Sequence, residues 1–149
     1  MEISMVLNLP RDAVSVPVSR QVLDACLETL GVTAETRGDI ALALSEACGN
    51  VIQHAGPGDE YEVQIHARNR RCAIEVVNTS QGSAPEGLSA AREPAPVTAE
   101  QGRGLQIIDA VADNVELTSS ARRGTTVHFE KTLDWVPGAP GQHLFTADA

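Results

Sequence analysis

The alternation of apolar and polar positions changes period several times along the chain. "EISMVLNL" alternates with a period of two and predicts a first strand, and the turn residues of "PRDAVSVP" predict a loop after it. In "VSRQVLDACLETLG" the period becomes helical. Val18, Val22, Leu23, Ala25, Cys26 and Leu30 fall largely on one side, and Gly31 supplies the usual C-terminal stop. A second helix is expected from near Thr33, a candidate N-cap, with Ile40, Leu44, Cys48, Val51 and Ile52 as its apolar stripe and Gly56-Pro57-Gly58 as its end. "YEVQIHARN" and "CAIEVVN" return to period two and predict an antiparallel hairpin joined at Arg70-Arg71. From Ser80 to Gln101, Ala, Pro, Gly and Ser dominate and large apolar residues almost vanish, which predicts a long functional or disordered loop. "GRGLQIIDAVADNVEL" then places Leu105, Ile107, Ile108 and Val111 on a third helix, and "NVEL" and "TTVHFEKTL" read as two more strands.

The sum is an α/β two-layer sandwich, a mixed, mostly antiparallel sheet with helices on one face, formed by residues 1–134. After Trp135, "VPGAPGQHLFTADA" has turn residues and little periodicity, so residues 135–149 are expected to be a flexible tail. The length of 149 residues suits one domain with one core. A net charge of −9 argues against nucleic acid or an anionic membrane surface as partner, because both repel it, and favours a protein with a basic face. No apolar run approaches the roughly 20 residues that cross a bilayer, and the N-terminus lacks the basic region and cleavage site of a signal peptide, so a cytoplasmic location is expected. Cys26, Cys48 and Cys72 form no CxxC pair and read as small apolar fillers, and the four histidines have no metal-site spacing.

In "LSEACGNVIQHAG", Glu46, Asn50 and His54 recur every four residues, and on a helical wheel Asp39 and Gln53 join their arc, opposite the apolar stripe. Such a line is either a solvated face or a site. Three glycine-bearing segments downstream bear on the choice: "VVNTSQG" after a strand, "GRGLQII" opening a helix and "RRGTTVHF" before a strand. Glycines at a helix N-terminus let an anion approach free N–H groups at the positive end of the dipole. The same glycines also suit a sharp turn with no ligand. Neither a GxxxxGK[ST] loop nor a dinucleotide fingerprint occurs. Mg²⁺ bound with a nucleotide needs only one or two protein oxygens, so Asn50 suffices as a ligand, and a carboxylate one turn away, Glu46, suits a general base.

These segments, in this order, resemble the GHKL ATPase superfamily with its Bergerat fold, and more narrowly its anti-sigma-factor serine/threonine kinases. "ALALSEACGNVIQHA" matches the N box, "VVNTSQG" occupies the first glycine box, "GRGLQII" matches the second and "GTTVHF" the last, over about residues 7 to 133. The resemblance implies ATP and Mg²⁺, with Glu46 as catalytic base and Asn50 on the metal. It implies Gly102, Arg103 and Gly104 around the phosphates, and His54, Gly82 and Leu105 as further nucleotide contacts. Ser80 to Gln101 would be a lid, and Thr125 or Thr126 would lie near the adenine. It further implies a homodimer that binds a sigma factor and phosphorylates a STAS-like antagonist. One departure stands out: Asn78 occupies a place where such proteins usually have Asp, which accepts a hydrogen bond from the adenine amino group. Ser80 replaces a glycine, and Gly82 alone of that box remains. Two other readings follow. A binding module that sequesters a sigma factor or other regulator with weakened or lost ATP binding is the first. The detached ATPase domain of a histidine kinase is the second.

Overall fold

The computed structural model describes residues 1–54, 60–78, 93–94, 99–120 and 124–146. In chain order they form β1 (Glu2–Pro10), α1 (Ser15–Leu30), α2 (Ala34–His54), β2 (Glu60–Arg68), β3 (Arg71–Asn78), β4 (Glu93–Pro94), α3 (Ala99–Val111), β5 (Asn114–Ser120), β6 (Gly124–Thr132) and α4 (Pro140–Thr146). The strands make one sheet in the order β1-β2-β3-β6-β5-β4. Every ladder among the described residues is antiparallel, so the parallel pairing that a mixed sheet allows is not used there.

Strand alternation sorts the two faces. Tyr61, Val63 and Ile65 of β2, Cys72, Ile74 and Val76 of β3, and Val127 and Phe129 of β6 are buried in one core with Leu23 and Leu27 of α1, Ile40, Leu44, Cys48 and Val51 of α2, and Ile108 of α3. The intervening residues carry charge on the opposite face, where His66 meets Glu2 at 2.5 Å, Arg71 pairs with Glu130, and His128 lies between Glu75 and Glu130. Burial pushes the Cys48 and Cys72 thiols up to about 11 and about 12, so both stay protonated and pack as small apolar groups.

The helix starts follow local chemistry. Thr33 Oγ1 accepts the Thr36 N–H at 3.3 Å and caps α2. Gly31 ends α1 with φ of 89°, a left-handed conformation that glycine adopts freely. A hydroxyl pair pins the first turn of α1 to the sheet, since Ser15 Oγ and Tyr61 Oη share a buried hydrogen bond of 2.6 Å.

Three expectations change. Val18, Val22 and Ala25, assigned to the apolar side of α1, are exposed, whereas Leu23 is buried as expected, joined by Ser15, Ser19 and Leu27. Within the segment expected to be a flexible tail, Pro140–Thr146 form α4, whose Phe145 is buried and stacks on Trp135 with ring centroids 5.8 Å apart. Gly31 makes that docking possible, because a Cβ there would fall 2.4 Å from Ala139 Cβ. Third, α3 begins at Ala99, ahead of the glycines that were expected to open it. Most of the Ser80 to Gln101 stretch, expected to be a lid, lies outside the described residues, as do Gly56-Pro57-Gly58. Of the rest, Glu93–Pro94 pairs with β5 and residues 99–101 start α3.

Candidate functional site

The polar stripe of α2 is not simply a solvated face, because α3 packs along it. At one end, Gly104 brings the α3 backbone against Glu46, such that a Cβ built on Gly104 would lie 3.3 Å from Glu46 Oε1. At the other end, Asp39 Oδ2 lies 3.2 Å from Lys131 Nζ, which also donates to the Val111 carbonyl at 2.6 Å in the last turn of α3. Asp39 and Glu46 are two helical turns apart, on one face of α2. The stripe is therefore a seam between two helices, with Glu46 at the end where α3 begins.

One turn beyond Glu46, Asn50 is only 7% exposed, and its Nδ2 has no hydrogen-bond partner among the described residues. Leaving a buried amide group unpaired costs about 1–3 kcal/mol, so the described residues alone do not complete this position. The free Nδ2 is a donor and fits a phosphate oxygen, the Asn50 carbonyl oxygen is the atom that would face a hydrated Mg²⁺, and a carboxylate one turn away and a glycine that opens the facing backbone fit the same group. His54 is the last residue of α2.

The second part of the candidate site lies at the sheet. Asn78 ends β3, is fully buried, and stands opposite Tyr61 of β2 on the helix-covered face. On the other side of β3, Val77 pairs with Thr126. Alternation therefore decides between the two threonines. Thr125 shares the helix-covered face with Val127, Phe129 and Asn78, whereas Thr126 falls with His128 on the opposite face and does not join them.

The second glycine motif is brought to Glu46, though not in the manner expected. An α-helix leaves its first four N–H groups without helical acceptors. With α3 starting at Ala99, its open N–H groups end at Gln101, so Gly102 and Gly104 both lie beyond them, and Gly104 contributes close approach to Glu46 instead of a free N–H. Arg103 is exposed and Leu105 is half-buried against the core. Gly82 lies outside the described residues.

Two residues here had no sequence signal. Arg11, in the loop before α1, donates from Nη2 to the Ile52 carbonyl at 2.6 Å and so satisfies the last turn of α2. Lys131 looked like one more strand residue, yet it ties α3 to α2. Both contacts join segments far apart in the chain, which no local pattern reports.

A family profile described as the histidine kinase-like ATPase domain matches residues 9–131. A protein of Bacillus velezensis named serine-protein kinase RsbW is 26% identical, over 86% of this chain and 84% of its own length. A Bacillus subtilis protein of the same name is also 26% identical over the same shares. A Clostridium perfringens protein named anti-sigma F factor is 30% identical, over 78% of this chain and 86% of its own.

Proposed function

Starting from the premise that the chain belongs to the histidine kinase-like ATPase superfamily, and within it to the anti-sigma-factor kinases, we propose that it transfers the γ-phosphate of ATP to a serine or threonine of a STAS-like antagonist and also binds a sigma factor. The observation that carries this reading is Glu46 set against Gly104, with the unsatisfied, buried Asn50 one turn away.

In this reading Asn50 holds Mg²⁺, and the ion neutralises charge on the phosphates when bound. Glu46 accepts the proton of the substrate hydroxyl as its oxygen bonds to the γ-phosphorus and the bridging oxygen departs with ADP. Gly102 and Gly104 keep side chains out of the space beside the phosphates. Asn78, with Thr125 on the same face, meets the base at the sheet end.

The protein acts as a cytoplasmic homodimer. Support for the dimer comes from the outer face of α1, where Val14, Val18 and Val22 repeat every four residues and are 69%, 49% and 41% exposed. Thr29 on the same face turns its hydroxyl back to the Ala25 carbonyl at 2.8 Å. Among the described residues no helix is long and apolar enough to cross a membrane.

The test is Glu46→Gln. Phosphotransfer falls by about 10²- to 10⁴-fold with sigma-factor binding retained, measured by radiolabel transfer and by co-purification. Asn50→Ala weakens Mg-ATP binding in the same preparation. Wild-type transfer by Glu46→Gln would reduce Glu46 to part of the α2–α3 seam. One observation favours the second reading, a regulator-binding module with little nucleotide affinity: the base position holds the neutral Asn78. Failure of the unmodified chain to bind Mg-ATP in titration calorimetry selects that module.

A further inference from the structure

Lys131 is the sole lysine of the chain and joins three elements. It stands on β6, its side chain is 18% exposed, and its ammonium meets the Val111 carbonyl at 2.6 Å and Asp39 Oδ2 at 3.2 Å. Val111 ends α3, where the helix dipole is negative and the last carbonyls lack helical donors, so an ammonium there satisfies an acceptor and offsets the dipole. Asp39 lies on the same face of α2 as Glu46. Beside this anchor, Asp113 accepts from the Thr132 N–H at 2.6 Å and from its hydroxyl at 2.7 Å, which fixes the turn from α3 into β5 against β6.

We propose that Lys131 is a positioning residue for the phosphate end of the nucleotide site, acting through α3. The inference rests on the kinase reading and adds a residue to it. The helix is a stiff rod held at two points along α2, at its end by Lys131 with Asp39 and nearer its start by the close approach of Gly104 to Glu46. From Val111 back to Gly104 is about 10 Å of helix at ~1.5 Å per residue, so a tilt of about 10° at the anchored end moves Gly104 by roughly 2 Å. A displacement of that size at a reacting group is enough to cost about two orders of magnitude in rate. The base end, on Asn78, belongs to the sheet and does not move with α3. Lys131 therefore acts on phosphate recognition and leaves base recognition alone.

The experiment measures Mg-ATP and adenosine affinities of the full chain by competition against a fluorescent ATP analogue, for Lys131→Met and for the milder Asp39→Asn. Expected is a loss of about tenfold in Mg-ATP affinity for Lys131→Met and about threefold for Asp39→Asn, with adenosine affinity within about twofold of wild type for both. Equal losses for the two ligands would mean that Lys131 supports the fold as a whole, and unchanged Mg-ATP affinity would remove any role in positioning; either overturns the inference alone. If Lys131→Met does not fold, Asp39→Asn decides by the same criterion. Absence of Mg-ATP binding by the unmodified chain overturns the kinase reading, and this inference with it.

Discussion

Gly104 and Glu46 meet where α3 crosses the polar stripe of α2, and the space for one methyl group separates a relaxed contact from a crowded one. A Cβ on Gly104 would stand 3.3 Å from Glu46 Oε1, close enough that the carboxylate must yield by a few tenths of an ångström. The glycine lies inside the helix, where it costs about 1 kcal/mol relative to alanine. In the kinase reading, stability and function therefore pull in opposite directions at this position.

Gly104→Ala is expected to raise the melting temperature by about 2–4 °C and to lower phosphotransfer by about tenfold. Thermal denaturation followed by circular dichroism, alongside a transfer assay, measures both. A variant that is more stable and equally active would show that the close approach serves packing only.

Asn78→Asp separates nucleotide recognition from folding. Asn78 is fully buried, so a carboxylate there is taken out of water and, without ligand, destabilises the fold by a few kcal/mol or takes up a proton. With ATP bound, a charge-assisted hydrogen bond of about 1.5–3 kcal/mol replaces a neutral one of about 0.5–1.5, and affinity rises roughly tenfold. The expected pattern is a lower melting temperature alone and a larger gain on adding Mg-ATP than wild type shows. Unchanged or reduced ATP affinity would count against base recognition by Asn78.

The opposite face of the sheet carries a pH dependence of its own. Glu75, whose Oε2 is 3.6 Å from Nδ1, and Glu130, whose Oε2 is 3.0 Å from Nε2, raise the pKa of His128 from its ordinary 6.5 to about 9. The folded state thus holds this proton more tightly than the unfolded chain. Its stabilisation is fully present below pH 6.5 and is lost as the pH rises toward 9. The contribution is about 1–2 kcal/mol once solvent screening of a partly exposed cluster is allowed for. Urea denaturation between pH 6 and 9.5 should show this decline in wild type and a flatter profile in His128→Gln.

Val18 tests the dimer. Because it is 49% exposed in a single chain, Val18→Glu leaves the monomer folded. Across an interface formed by this face the new charge is buried against apolar surface of the partner, and dissociation becomes at least about tenfold easier. Sedimentation velocity reads the shift to monomer, and an unchanged dimer would place the interface elsewhere.

The sequence by itself determined the order and type of the main elements, because period two and period 3.6 are local properties and each strand or helix here is long enough to express one. It also put Glu46 and Asn50 on one face of α2, since residues four apart on a helix share a face wherever the helix goes. The tertiary structure decided what that face meets. The α3 backbone lies against Glu46, Lys131 reaches Asp39 and Val111, and Arg11 reaches Ile52, all across chain separations that pattern does not encode. It likewise decided which threonine sits with Asn78, because sheet register, a pairing between distant strands, fixes which face each takes. The exposed valines of α1 and the packed α4 follow the same rule. Apolar residues reveal that a surface will be covered, and only the assembled fold, in which helix, sheet and C-terminal segment compete for the same core, settles which ones it covers.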